Sequence, residues 1–451
     1  MLGMERTDSD DSEPFSRAEE FLDSACLGCG CVCDDIDIVV KQGRIVGADH
    51  ACSIGVGWLL EESGGPACTI DGEPAGLDEG VARAAEILAG ARFPLVTGLE
   101  EASIESQKMA IQIARRIGAR LDTTTSPGRQ AYWLAVQDVG AVGCTLGEIR
   151  HRGDLIIVWR ANPDETHPRH FERYSLDALG EVALRGRVDR FVIAVDETET
   201  VTTDRADRFI RLSGDQEIEA LTTLRALARG VALDADQVAA RTGSPLQTWQ
   251  DMFTKMKEAR YGVLLFEPSA DRLRNAAILK LVRDMNEHTR FVGSPLGAAG
   301  NAAGSEQVAL WSTGYPGAVD LARGVPRYLP DESTTAALLE GGLVDAILVV
   351  SGDPAILATL RGSATLLNVP TVVLGGRENV TMRSATVGLR VARLGREDSG
   401  TVFRSDGVPI PVRECLVSLF PGMRELLARI DQAIAALPER GPGFHESPGG
   451  P

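Results

Sequence analysis

The chain has 451 residues, with 64 acidic and 46 basic side chains, a formal charge of −18 and a pI near 4.9. An acidic surface of this kind repels phosphate backbones and excludes a nucleic-acid binder. At 44% hydrophobic and 24% charged, the composition is that of a globular protein long enough for roughly two to four cores.

In chain order, residues 1–21 (Asp8, Asp10, Asp11, Glu13, Glu19, Glu20) read as an acidic disordered leader without the apolar core of a signal peptide. Next comes Cys26-Leu27-Gly28-Cys29-Gly30-Cys31-Val32-Cys33, with Cys52 following the segment 34–51. Four of the eight cysteines fall within positions 26–33, a metal pattern more than a disulfide pattern, which implies a reducing compartment. Cys26, Cys29, Cys33 and Cys52 form the candidate metal set, with Cys31 read as a bystander. Asp35–Val46 alternates in polarity and turns at Gly43, so a hairpin is expected to carry Cys52 back to the other three. Four thiolates suit a [4Fe–4S] cluster, but they also satisfy tetrahedral zinc, and metal-free thiols or a redox pair stay open.

Beyond the break at Gly64-Gly65-Pro66, Asp78 is expected to cap a helix burying Val81, Ala84, Ala85 and Leu88. Phe93–Thr97 then runs into Gly98, and the following helix closes at Gly118. Further buried-strand candidates are Leu155–Trp159, Phe191–Val195, Gly262–Phe266, Ala346–Val350 and Thr371–Leu374. Short apolar runs alternating with helices predict parallel sheets in an α/β architecture. The expected divisions are a cluster-bearing β domain at 22–62, first α/β lobes at 63–260, a second α/β lobe at 261–418, and a C-terminal helix with a disordered tail at 419–451. No apolar run approaches the ~18 residues of a spanning helix, so a cytoplasmic protein with no membrane partner is expected.

Asp154-Leu155-Ile156-Ile157-Val158-Trp159-Arg160-Ala161-Asn162-Pro163 is echoed by Asp345-Ala346-Ile347-Leu348-Val349-Val350-Ser351-Gly352-Asp353-Pro354. Strand ends of this kind face ligands in open α/β sheets, although Asn-Pro and Asp-Pro are also common turn starters. The glycine-rich run Ser294–Gly304 lacks the P-loop pattern and reads as a tight loop.

Three longer blocks carry a resemblance. They are Ala135–Gly140 through Thr145-Leu146-Gly147-Glu148 to Asn162–His170, Trp311–Pro316 with Arg323–Tyr328, and Gly400–Ile410. With the cysteine motif, they resemble the family of B-type subunits of formylmethanofuran dehydrogenase, over roughly residues 22 to 418. They are equally similar to its relative in the bacterial formyltransferase/hydrolase complex. That resemblance implies Rossmann-like lobes of the molybdopterin oxidoreductase type around a pterin. It also implies amidohydrolase-type, formyltransferase-type and glutamate-synthase-like partner subunits in tetrahydromethanopterin-linked one-carbon metabolism. Asn162, His167, Arg169 and Asp353 then become candidates for a vestigial pterin cradle.

One departure decides the expected function. Where the dehydrogenase carries a metal-ligating cysteine and a histidine, this chain reads Thr124-Thr125-Ser126-Pro127-Gly128-Arg129-Gln130, and no cysteine stands between Cys68 and Cys144. A hydroxyl is a poor substitute for a soft thiolate, so the tungsten or molybdenum pterin is expected to be absent. Pro127-Gly128 is expected to shape a turn, and Arg129 to pair with Asp164 or Glu165. The departure favours the bacterial complex, with this chain as a non-catalytic scaffold. A working tungsten or molybdenum subunit and a small Fe–S electron-transfer protein are the alternatives.

Overall fold

The computed structural model describes residues 18–61, 64–123, 126–350, 369–377 and 380–438. Its architecture is mixed α/β. Among the described residues the strands form four sheets.

The first sheet is an antiparallel meander of Glu19–Ser24, Ile36–Lys41 and Arg44–Asp49. Gln42 and Gly43 both take positive φ (52° and 70°), the conformation of a tight hairpin whose twist matches its strands. The leader expected to be disordered as far as residue 21 instead enters this sheet. Glu19, Glu20 and Phe21 pair with Val40, Val39 and Ile38, so backbone pairing overrides their acidic, exposed character.

The second sheet is parallel, in the order Arg208–Arg211, Phe191–Asp196, Leu155–Trp159, Tyr261–Phe266, Arg290–Pro295. The third has nine strands. Its parallel core is Arg120–Leu121, Pro94–Gly98, Ala346–Val350, Thr371–Gly375 and Val387–Arg390, with short antiparallel strands added at both edges. Strands on either side of the division expected at 260/261 therefore lie side by side in one sheet, and residues 94–121 share a sheet with 346–390. The chain leaves the nine-stranded sheet, builds the five-stranded one and returns. Apolar periodicity gives no sign of such an excursion, because both segments have the same strand–helix rhythm. A fourth, two-stranded sheet joins Gly400–Phe403 to Pro409–Val412.

The sequence echo has a structural counterpart. Leu155–Trp159 and Ala346–Val350 are each the middle strand of their sheet and completely buried. A strand buried on both faces draws about 1.5–3 kcal/mol from each large apolar side chain. The aspartate before each strand accepts two main-chain N–H groups at the start of the neighbouring strand. Asp154 takes those of Arg260 and Tyr261 (3.0 and 2.9 Å), and Asp345 those of Arg92 and Phe93 (2.7 and 2.8 Å).

The helix at Leu77–Gly90 buries Val81, Ala84, Ala85 and Leu88 as expected, but its N-cap is Gly76. Asp78 lies in the first turn and bonds Arg429 of the C-terminal helix Met423–Ala436. Gly118 ends the helix Ile104–Ile117 in the left-handed conformation, φ 64°. Two of the resemblance blocks meet. Thr145 and Glu148 form a capping box, and the buried Asp406 carboxylate accepts the Leu146 N–H at 2.6 Å while pairing with Arg404. No helix among the described residues is long and apolar enough to cross a membrane.

Candidate functional site

The cysteine loop turns on an unusual residue. Val32 is β-branched yet has φ 38°, a conformation that costs about 1–3 kcal/mol and persists only when its surroundings impose it. Here its side chain is fully buried against Ala25, Leu27, Val402 and Ile410. The reversal folds Cys33 back on Cys26, whose N–H bonds the Cys33 carbonyl at 2.8 Å. Cys52 arrives on the far side of the hairpin as N-cap of the helix Ser53–Leu60. Gly55 of that helix lies against both sulfurs, since a Cβ there would stand 3.0 Å from Cys26 Sγ and 3.9 Å from Cys52 Sγ.

Cys26, Cys29, Cys33 and Cys52 thus line one small cavity together with Ile36, Ile54 and Arg169. Cys31 is buried, does not line this cavity, and shares a hydrogen bond with Cys29. Burial pushes the Cys26 thiol up to about 12 and that of Cys33 up to about 11, whereas the Cys31 thiol pulls Cys29 down to about 7. Among the described residues, no three His, Cys, Asp or Glu side chains are placed to grip a single metal ion. The four cysteines line one common space. In that geometry they can bind a polynuclear cluster that bridges the space.

The wall of this cavity comes from the turn beyond strand Leu155–Trp159. Arg169 makes a bidentate pair with Asp35 (2.6 and 2.8 Å), and Arg173 reaches Asp34 at 2.9 Å and Asp35 at 3.2 Å. Of the four cradle candidates, Arg169 therefore joins the cysteine unit to the five-stranded sheet. His167 is buried, and its Nε2 lies 2.8 Å from the Gly297 carbonyl, which makes that nitrogen the protonated one. Asn162 Oδ1 accepts the Thr202 hydroxyl at 2.6 Å. Asp353 lies outside the described residues. His170 is fully buried. Its Nδ1 is 2.9 Å from Ser175 Oγ, its Nε2 has no partner, and burial beside His167 lowers its pKa to about 3.

A second cavity, of about 330 Å³, shares Gly28 and Ile54 with the cysteine cavity. The glycine-rich run borders it as a tight loop. Gly300 donates to the Leu27 carbonyl at 3.0 Å, and its φ of 65° sets the backbone so close to Glu100 that a Cβ would collide with the Glu100 carbonyl. Arg377 and Arg393 also line this cavity, and Arg396 joins them through a shared carbonyl. Arg393 donates to the Glu61 carbonyl at 2.7 Å, Arg396 donates to the same oxygen, and Arg377 bridges Glu61 (3.1 Å) and Glu101 (2.9 Å). Burial and the neighbouring guanidiniums lower the Arg393 pKa to about 10. Sequence reasoning missed these arginines. One signal was present, since Arg377 follows the carboxyl end of strand Thr371–Gly375, where ligands of open sheets bind.

The departing segment is also corrected. Ser126 starts a helix, Ser126–Val139, so Pro127-Gly128 is no turn. Proline is well tolerated in a first helical turn, where its missing N–H leaves nothing unpaired. Arg129 pairs with neither Asp164 nor Glu165. It forms two 2.7 Å bonds to the buried Glu306, which also accepts the Trp133 indole N–H at 3.0 Å, while Asp164 pairs with Arg205 at 3.1 Å.

No family model matches the chain. The chain is 34% identical over 405 residues to the B-type subunit of the tungsten-containing formylmethanofuran dehydrogenase 2 of Methanocaldococcus jannaschii, covering 87% of this chain and 92% of that one. It is 26% identical to the B-type subunit of the formyltransferase/hydrolase complex Fhc of Methylorubrum extorquens, covering 64% and 75%. The crystal structure of that FhcABCD complex with methylofuran contains a chain similar in fold, with TM-score 0.67 and 23% identity over 82% of this chain and 99% of that one. Acetylene hydratase from Pelobacter acetylenicus shares the fold at TM-score 0.62 and 11% identity, over 91% of this chain and 69% of that one.

Proposed function

Since the chain belongs to the family of B-type subunits of formylmethanofuran dehydrogenase, we propose that it serves as a non-catalytic member of a formyltransferase/hydrolase-type complex handling a formyl-methanofuran-like carrier. Amidohydrolase-type, formyltransferase-type and glutamate-synthase-like subunits would be its partners. Formyl transfer and hydrolysis to formate would proceed on the first two of these. The observation that carries this reading is the closed Arg129–Glu306–Trp133 contact, in a segment without cysteine or histidine. A pterin-bound tungsten or molybdenum needs a soft or exchangeable ligand, and a permanently charged guanidinium tied up by a buried carboxylate supplies none. These residues do not fit that metal, so no redox step is assigned to it.

The cysteines fit a different group. Cys26, Cys29, Cys33 and Cys52 would hold a [4Fe–4S] cluster, which when bound supplies a one-electron relay or a covalent staple. With no redox partner assigned beside it, the staple role follows. It would tie the N-terminal meander, the helix Ser53–Leu60 and the loop carrying Arg169 into one unit. Asn162, His167 and Arg169 do not line the arginine-bearing cavity next to it, so a vestigial pterin cradle there would rest instead on Arg377 and Arg393, beside Glu61 and Glu101.

The higher identity to the tungsten-containing dehydrogenase chain, 34% against 26%, favours a second reading in which this protein is a working formate- or formyl-oxidising subunit. One experiment separates the two. The complex is purified anaerobically, and formate release from formylmethanofuran is assayed beside formate-dependent reduction of a viologen dye. Formate release without dye reduction is expected, and stoichiometric dye reduction would overturn the scaffold role.

A further inference from the structure

The amino-terminal ends of the strands of the five-stranded sheet lie opposite the turn carrying Arg169, and three arginines gather there. Arg152, Arg260 and Arg290 surround an open cavity of about 500 Å³, also lined by Val182 and Tyr261, on a chain of net charge −18. All three arginines are exposed. Arg152 lies over the Tyr261 ring at 5.6 Å, and Arg260 meets Asp154 at 3.3 Å, but Asp154 is already occupied by the N–H groups of Arg260 and Tyr261.

Beside this cavity the segment 176–190 exposes four apolar side chains, Leu179 (63%), Val182 (38%), Leu184 (70%) and Val188 (72%). Apart from the 3-10 turn Gly186–Asp189 the segment has no helix or strand, yet it is held in place. The buried Arg190 donates to four main-chain carbonyls, those of Gly153 (3.1 Å), Leu176 (2.7 Å), Ala178 (2.5 Å) and Arg150 (2.7 Å). Gly180 lies so close to Arg150 and His151 that any Cβ would collide with their backbone, and Gly186 takes φ 60° against the Asp177 carbonyl. A buried arginine that organises a loop through carbonyls, with its apolar side chains left in water, stabilises a surface shape and not a core. Pre-organised apolar groups rimmed by arginine are the composition of a protein interface.

We infer that this face is a docking surface for a partner subunit whose contact region has an apolar centre and an acidic rim. The carboxylates of that rim would enter the Arg152–Arg260–Arg290 cavity, and its apolar side chains would cover Leu179, Leu184 and Val188. The inference rests on the chain being part of a multisubunit complex and adds which face of it is used and by what chemistry.

The test uses affinity-tagged full-length chain expressed in its source cells, with native mass spectrometry of the purified assembly at low and high salt. The variants are Arg152→Glu with Arg290→Glu, Arg152→Lys with Arg290→Lys, and Leu184→Asp with Val188→Asp. Wild type and the lysine pair should carry the partner subunits. Both other variants should lose about tenfold or more of them, and the wild-type contact should weaken as salt rises. If both disruptive variants assemble like wild type, the docking surface is wrong and the complex reading stands. A wild-type chain found alone would overturn both. An assembly of two copies of this chain and nothing else would replace the acidic partner with self-association. A thermal shift with inorganic phosphate that the glutamate pair abolishes, with assembly unchanged, would assign the cavity to a small anion instead.

Discussion

Replacing Glu306 by leucine removes the carboxylate that holds Arg129. In the native chain the two groups share bonds of 2.7 Å and 2.7 Å, with Glu306 buried and Arg129 16% exposed at its side chain, and the Trp133 indole adds a third contact at 3.0 Å. The variant leaves a guanidinium in a largely dry site with no counter-charge. Breaking a buried pair from one side costs about 3–5 kcal/mol. Taking Arg129→Met together with Glu306→Leu removes both charges and should recover most of that loss, because an apolar pair of similar volume is often neutral. For a unit of 150–250 residues, about 3 kcal/mol corresponds to a fall in Tm of roughly 6–12 °C. Anaerobic scanning calorimetry of wild type, Glu306→Leu, Arg129→Met and the double variant gives the cycle directly. A single-variant shift within about 2 °C, or a double variant worse than the sum of the singles, would refute the claim that this pair closes the site.

Acid should act on His170. Its folded pKa of about 3 lies below the ordinary 6.5, so the unfolded chain takes up the proton first; the stability is present above pH 6.5 and lost as pH falls towards 3. At about 1.36 kcal/mol per unit, the loss reaches about 2 kcal/mol by pH 5, and urea midpoints between pH 8 and 5 should show a steeper decline in wild type than in His170→Gln; equal slopes would contradict it. Asp345→Ala and Asp154→Ala each release two strand-starting N–H groups and should cost about 1–2 kcal/mol, read as a lower calorimetric midpoint; an unchanged midpoint in either would mean the caps are dispensable.

Much of this architecture was legible. Leu155–Trp159, Ala346–Val350 and the Gly118 stop follow from apolar runs and a glycine whose conformation few other residues adopt. The convergence of Cys26, Cys29, Cys33 and Cys52 followed from a hairpin centred on Gly43. Other features depend on distant partners. Arg129 finds Glu306, which is 177 residues away, rather than Asp164, and no local pattern encodes that choice. Phe21 becomes a strand residue because Ile38 lies opposite it. Arg393 and Arg396 are assembled around the carbonyl of Glu61, a main-chain atom that leaves no compositional trace, and Arg377 joins them through the Glu61 carboxylate.

What the cysteines and the departing segment hold decides the function, and a single elemental analysis measures both. Complex purified anaerobically from cells supplied with iron, tungsten and molybdenum is assayed by mass spectrometry for metals and by colorimetry for acid-labile sulfide, with Cys29→Ala as the control. The expected result is about four irons and four sulfides per chain, lost in Cys29→Ala, with tungsten and molybdenum near zero. Stoichiometric zinc in place of iron would contradict the cluster, and tungsten or molybdenum near one per chain would contradict the scaffold.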